Sequence, residues 1–215
     1  MNITPLYNWA MSIKATSINS AISEFGIEAQ RIVDEYISGG ASYASALAEF
    51  LRTADNAFIN AAEQAWADGG RDLSDLPQNT LTEVLSLQRG FARAAWLKLQ
   101  AQVKTARDAG QDTSGLGAGF GDRWAAGLWG EYNYFKMLSK SGTGKLFFWV
   151  LGNTEKHCAT CKSLAAGAGH TIDWYIARDY IPGRNGAAME CGGYWCDCTL
   201  VDAAGHDWTL TPTAG

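Results

Sequence analysis

The first 157 residues contain no cysteine, and all five cysteines fall between residues 158 and 198. Several other things are missing. No apolar run approaches the 18 residues that a bilayer span needs; the longest obvious one is Leu146–Leu151. No excess of positive charge exists. Lys and Arg total 17 against 22 Asp and Glu, split 13 against 15 up to residue 150 and 4 against 7 beyond it. That balance argues against nucleic acid as the main partner, because phosphate neutralisation needs a basic surface. The first residues, MNITPLYNWAMSIKATS, lack a basic start followed by an apolar block, so a cytoplasm-like compartment is expected. Histidine is scarce, with three copies, all near the cysteines or the C-terminus. Several catalytic motifs also fail on inspection. Gly115–Gly121 lacks the third glycine of a dinucleotide fingerprint, and Ser141–Lys145 lacks the first glycine and the hydroxyl residue of a P-loop. Glu155-Lys-His157 reverses the His-x-Glu order of a zinc deaminase.

What is present is a folded-protein composition, 47% hydrophobic and 18% charged, with nine tryptophans in 215 residues. The first 140 residues read as helical. Ile18, Ile22, Phe25, Ala29, Ile32, Val33 and Tyr36 recur at spacings of three and four, ending at Gly39-Gly40. A second stripe runs from Leu47 through Phe50, Ala54, Phe58 and Ala62 to Gly69-Gly70. Thr80 and Glu83 form a capping-box pattern ahead of a third stripe that Gly110 closes. That helix would be about 45 Å long. Residues 110–121 read as a glycine linker. The aromatic helix after it, from about Asp122 to Ser139, carries Trp124, Trp129, Tyr132 and Phe135. A flexible linker would let that aromatic segment swing onto a neighbour, so an oligomer or a shell-bound chain is expected. Lys145–Leu151 then suits a buried strand. The expected organisation is a helical region 1–110, the linker and aromatic helix 111–144, and a cysteine-rich module 145–215.

The cysteines carry the strongest chemical signal. Cys158-Ala-Thr-Cys161 can wrap one side of a tetrahedral ion, and Cys191 with Cys196-Asp-Cys198 supplies a second thiol group. The odd count and the reducing compartment favour metal over disulfides. The preferred ligands are Cys158, Cys161, Cys196 and Cys198, with Cys191 as the substitute and His157 and His170 as further candidates. Four thiolates would close the shell around a structural Zn²⁺; a catalytic zinc keeps a position open. The fold class expected is therefore mainly α, with a small C-terminal α+β module stapled by zinc. A rival reading is an enzyme that uses the cysteine cluster for thiol redox or zinc chemistry, with Cys158 and Cys161 at a strand-to-helix turn.

Phe148-Trp149-Val150-Leu151, Thr154-Glu-Lys-His-Cys158-Ala-Thr-Cys161-Lys-Ser-Leu164, Ile181-Pro182-Gly183 and Cys191-Gly-Gly-Tyr-Trp-Cys196-Asp-Cys198-Thr-Leu-Val follow one another in this order. Over residues 145–202 this resembles the phage head-morphogenesis family, the minor head or Mu protein F-like proteins. Two positions depart from its plan. Asp197 stands where the family often has a basic residue, and Tyr194-Trp195 where it often has His or Pro-Asn. The resemblance implies a structural or assembly protein of a tailed bacteriophage particle, without catalysis. It implies docking on portal, capsid or neck proteins, and a location in the virion after assembly in the host cytoplasm.

Overall fold

In the computed structural model the described residues are 17–153, 156–184, 188–191 and 197–209. Four long helices come first. Helix α1 spans Ile18–Ser38; Ser17 caps it by accepting from the Ser20 amide, and Gly39 ends it with φ 87°. Helix α2 spans Tyr43–Asp68, capped by Ser42 through the Ser45 amide. Helix α3 spans Gln78–Asp108, and its 31 residues make a rod of about 46 Å. Helix α4 spans Phe120–Leu138. The apolar stripes read from the sequence are the buried faces, from Ile22 to Ile37 on α1 and from Ala46 to Trp66 on α2.

The capping box does not form. Helix α3 begins at Gln78, directly after Pro77, and no side chain caps it. Leu76 is buried in the core, and the proline ring holds φ at −71° beside it. The helix therefore starts one turn early and Thr80 lies inside it.

Residues 110–121 are not a free linker. Helix α4 packs against both α1 and α2. The glycines before and at its start permit close approach. A Cβ on Gly121 would lie 2.1 Å from the carbonyl oxygen of Gly26, and one on Gly117 would lie 2.4 Å from Val33. Gln30 ties the stretch down, donating to the Gly117 carbonyl at 3.1 Å and accepting from the Gly121 amide at 3.1 Å. The aromatic segment accordingly packs into its own bundle. Trp129 and Tyr132 are buried, and Trp124 is half-buried with its ring 4.9 Å from that of Phe50. At the centre Trp96 is fully enclosed, with Tyr36, Phe50 and Phe120 rings 5.7–5.8 Å away.

One charge is buried in this region. Glu131 on α4 accepts from Gln88 of α3 at 2.9 Å and from Arg184 at 3.2 Å, while its Oε2 has no partner among the described residues. Burial pushes its carboxyl above the usual glutamate range, against the pull of the Arg184 charge and the hydrogen bonds from Arg184 and Gln88. The native chain therefore holds that proton more tightly than the unfolded chain does. This contribution is complete below the ordinary value of 4.5 and fades as pH rises toward the folded value. Glu131→Gln is expected to flatten the fall in stability between about pH 5 and about pH 8. Urea midpoints at the two pH values check it; an unchanged slope would count against the buried acid.

The C-terminal part is a small antiparallel sheet with short helices. Strand β1 is Leu146–Val150, α5 is Ala159–Ala166, β2 is His170–Thr171, α6 is Ile172–Ile176 and β3 is Thr199–Asp202. The strand order is β2-β1-β3, with Phe148 opposite Val201 and Val150 opposite Thr199. The run Leu146–Val150 is buried on one face only. Phe147 and Trp149 point into a second core with Tyr175, Ile181 and Leu200, whereas Leu146, Phe148 and Val150 are 38–50% exposed. A strand central to its sheet but covered on one side alternates in and out, whatever its composition. Helix α4 joins the two cores. Met137 belongs to the second, Asn133 donates to the Pro182 carbonyl at 2.9 Å, and a Cβ on Gly130 would lie 2.4 Å from Arg184 Cα. The protein is thus mainly helical, with a small three-stranded antiparallel sheet and a cysteine cluster beside it.

Candidate metal centre

Cys158 and Cys161 sit at the start of α5. Cys158 is its cap residue, and its Sγ accepts from the Cys161 amide at 3.4 Å. The C-x-x-C spacing therefore forms the tight knuckle that the sequence suggests. The third thiol arrives from 30 residues away. Glu190 accepts from the Ala159 amide at 2.8 Å, and its own amide donates to Thr160 Oγ1 at 3.4 Å. The first turn of a helix has amides without helical partners and a partial positive charge, and a carboxylate answers both. This pair of hydrogen bonds holds Cys191 beside the knuckle. The sulfurs of Cys158, Cys161 and Cys191 lie within 4.8 Å of one another.

The remaining candidates are placed as follows. Cys198 is buried in the second core and groups with His157 and Asp197, their ligand atoms also within 4.8 Å of one another. Its Sγ is 3.8 Å from His157 Nδ1. Cys196, one of the preferred ligands, lies outside the described residues. His170 belongs to neither group; its ring stacks on Trp174 at 3.6 Å and 7°. Cys191, expected only as a substitute, stands in the thiol triad, and Cys198 groups with His157 and Asp197. Glu190 is the residue that sequence reading overlooked. Its one signal is an acidic side chain directly before a cysteine in a chain whose only C-x-x-C opens a helix.

None of Cys158, Cys161, Cys191 and Cys198 is in a disulfide. Burial pushes the Cys158 thiol up, but hydrogen bonds from the amides and thiols of Cys161 and Cys191 outweigh it and hold its pKa below the usual range. A lowered pKa favours the thiolate, which is the form that binds metal. Sulfurs around one tetrahedral Zn²⁺ stand about 3.8 Å apart, given bonds of about 2.3 Å. The triad needs little closure to reach that arrangement. Cys158, Cys161, Cys191 and Cys198 with His157 are thus a cluster able to bind a metal. Among the described residues no helix is long and apolar enough to cross a membrane. No protein-family model matches the chain, and no curated protein or solved structure matches it either.

Proposed function

We propose that this chain is a structural, non-catalytic component of a tailed phage particle, and that Zn²⁺ held by its thiols staples the C-terminal module. One observation carries the metal half of this reading: three thiols from segments 30 residues apart converge to within 4.8 Å. Such convergence without an ion leaves three thiols crowded together; an ion turns the crowding into a cross-link. The assembly half is supported by the resemblance over residues 145–202. It is also supported by apolar side chains left exposed on the outside, Leu87 and Phe91 on α3 and Leu146, Phe148 and Val150 on β1. These suit docking on portal, capsid or neck proteins, in the particle or during assembly in the host cytoplasm. The buried aromatic helix supplies no such surface.

A thiol-redox enzyme is the second reading, favoured by the low-pKa Cys158 at the head of α5. Two measurements separate the readings. Elemental analysis of the purified chain is expected to find stoichiometric zinc with thiols slow to react until a chelator is added. Mass spectrometry of purified particles is expected to find the chain among their components. Metal-free protein with rapidly alkylated Cys158 would favour the redox reading instead.

A further inference from the structure

His157, Asp197 and Cys198 bring one nitrogen, one oxygen and one sulfur ligand atom together within 4.8 Å, and Cys198 Sγ stands 3.8 Å from His157 Nδ1. We propose that these three residues form a second cation position, separate from the thiol triad and suited to a borderline transition ion such as Zn²⁺ or Co²⁺. The inference shares the module with the proposed thiolate site but does not need that site to be filled.

Local geometry explains why there are two positions and not one. His157 and Cys158 are consecutive, and Cys158 is extended, with φ −66° and ψ 162°. Successive side chains on such a backbone point in different directions. Cys158 therefore turns to Cys161 and Cys191, whereas His157 turns to Cys198. Asp197 and Cys198, also consecutive, both reach the His157 side. A close approach makes room for Asp197. A Cβ on Gly152 would lie 2.2 Å from the Asp197 carboxyl carbon and 2.4 Å from its Oδ2, so only glycine leaves space for that carboxylate.

The donor set determines the class of ion. Imidazole and thiolate disfavour Ca²⁺ and Mg²⁺, which take oxygen, and suit zinc-like ions. Three protein donors leave one tetrahedral corner to water or a further ligand. The location gives the ion a structural consequence. Val150 and Thr199 are the register pair at one end of the β1–β3 ladder, and on that side Asp197 precedes Thr199 by two residues and His157 follows Val150 by seven. An ion there closes the open end of the sheet.

The test is a Co²⁺ titration of the metal-free 215-residue chain, followed by absorption and by native mass spectrometry. The wild-type chain is expected to take two equivalents. His157→Ala and Asp197→Ala are each expected to take one, with the thiolate-to-cobalt absorption of the triad kept and far-UV circular dichroism unchanged. One equivalent in the wild type, untouched by either variant, overturns the second position and leaves the thiolate site standing. A single equivalent that His157→Ala abolishes also overturns it, since the ion then belongs to one shared site. Two equivalents retained in both variants overturn it as well. No bound cobalt at all removes the thiolate site together with this one.

Discussion

Trp96→Ala is expected to lower the stability of the helical bundle by about 3–5 kcal/mol, the largest loss from a single core truncation here. The indole is fully enclosed, and rings from α1, α2 and α4 all meet it, Tyr36, Phe50 and Phe120 within 5.8 Å. Those three rings are themselves tied into the packing of three different helices. The cavity left by alanine therefore cannot collapse without moving a helix. A domain of this size has about 5–15 kcal/mol in total, so the variant would sit near the edge of folding at body temperature. Chemical denaturation checks it: the midpoint should fall with little change in slope. A loss below about 1 kcal/mol would mean that the ring cluster is looser than its geometry indicates.

Chelation of the proposed metal is the second large effect, and it should be local. The module has a core of its own, including Phe147, Trp149, Tyr175, Ile181 and Leu200, and helix α4 anchors it through Asn133 and Met137. The β1–β3 ladder is expected to survive. Helix α5, eight residues long with one buried side chain, rests on β1 and is tied at its start by the knuckle and Glu190. Removing the ion leaves the thiols of Cys158, Cys161 and Cys191 crowded with no charge to hold them. Amide exchange in α5 is expected to speed up by about 100-fold or more, which is about 2.7 kcal/mol of lost protection. Helices α1 and α2 should exchange as before. Mass-resolved hydrogen exchange with and without chelator measures both. Equal loss of protection in both cores would refute the separation between them.

The helical half was legible because burial follows local spacing. The stripe from Ile22 to Tyr36 and the stop at Gly39 need no knowledge of what they pack against. Where the sequence misled, the deciding partner was distant in the chain. Gly117 and Gly121 have a linker's composition, yet Val33, Gly26 and Gln30 make them close-packing positions, and those residues lie roughly 85–95 positions earlier. Leu146–Val150 is uniformly apolar, so nothing in it tells which face is covered. The thiol grouping is another instance. Spacing alone ranks Cys198 with the C-x-x-C pair, but the Glu190 bonds to Ala159 and Thr160 draw in Cys191, and the extended backbone at Cys158 turns His157 toward Cys198.

The position of α4 has a consequence for synthesis. It packs against both α1 and α2, yet 51 residues lie between the end of α2 at Asp68 and the start of α4 at Phe120. At roughly 5–20 residues per second, a ribosome needs about 3–10 s to add that stretch. Throughout this interval the surfaces of the first two helices that α4 will cover, including the Phe50 and Gly26 sides, have no native cover. Helix α3 emerges in time to shield only part of α2. The nascent chain is therefore most prone to aggregate when about half of it has been made. The C-terminal module, which meets α4 through α6 and residues 182–184, has no native docking site until that helix has been made.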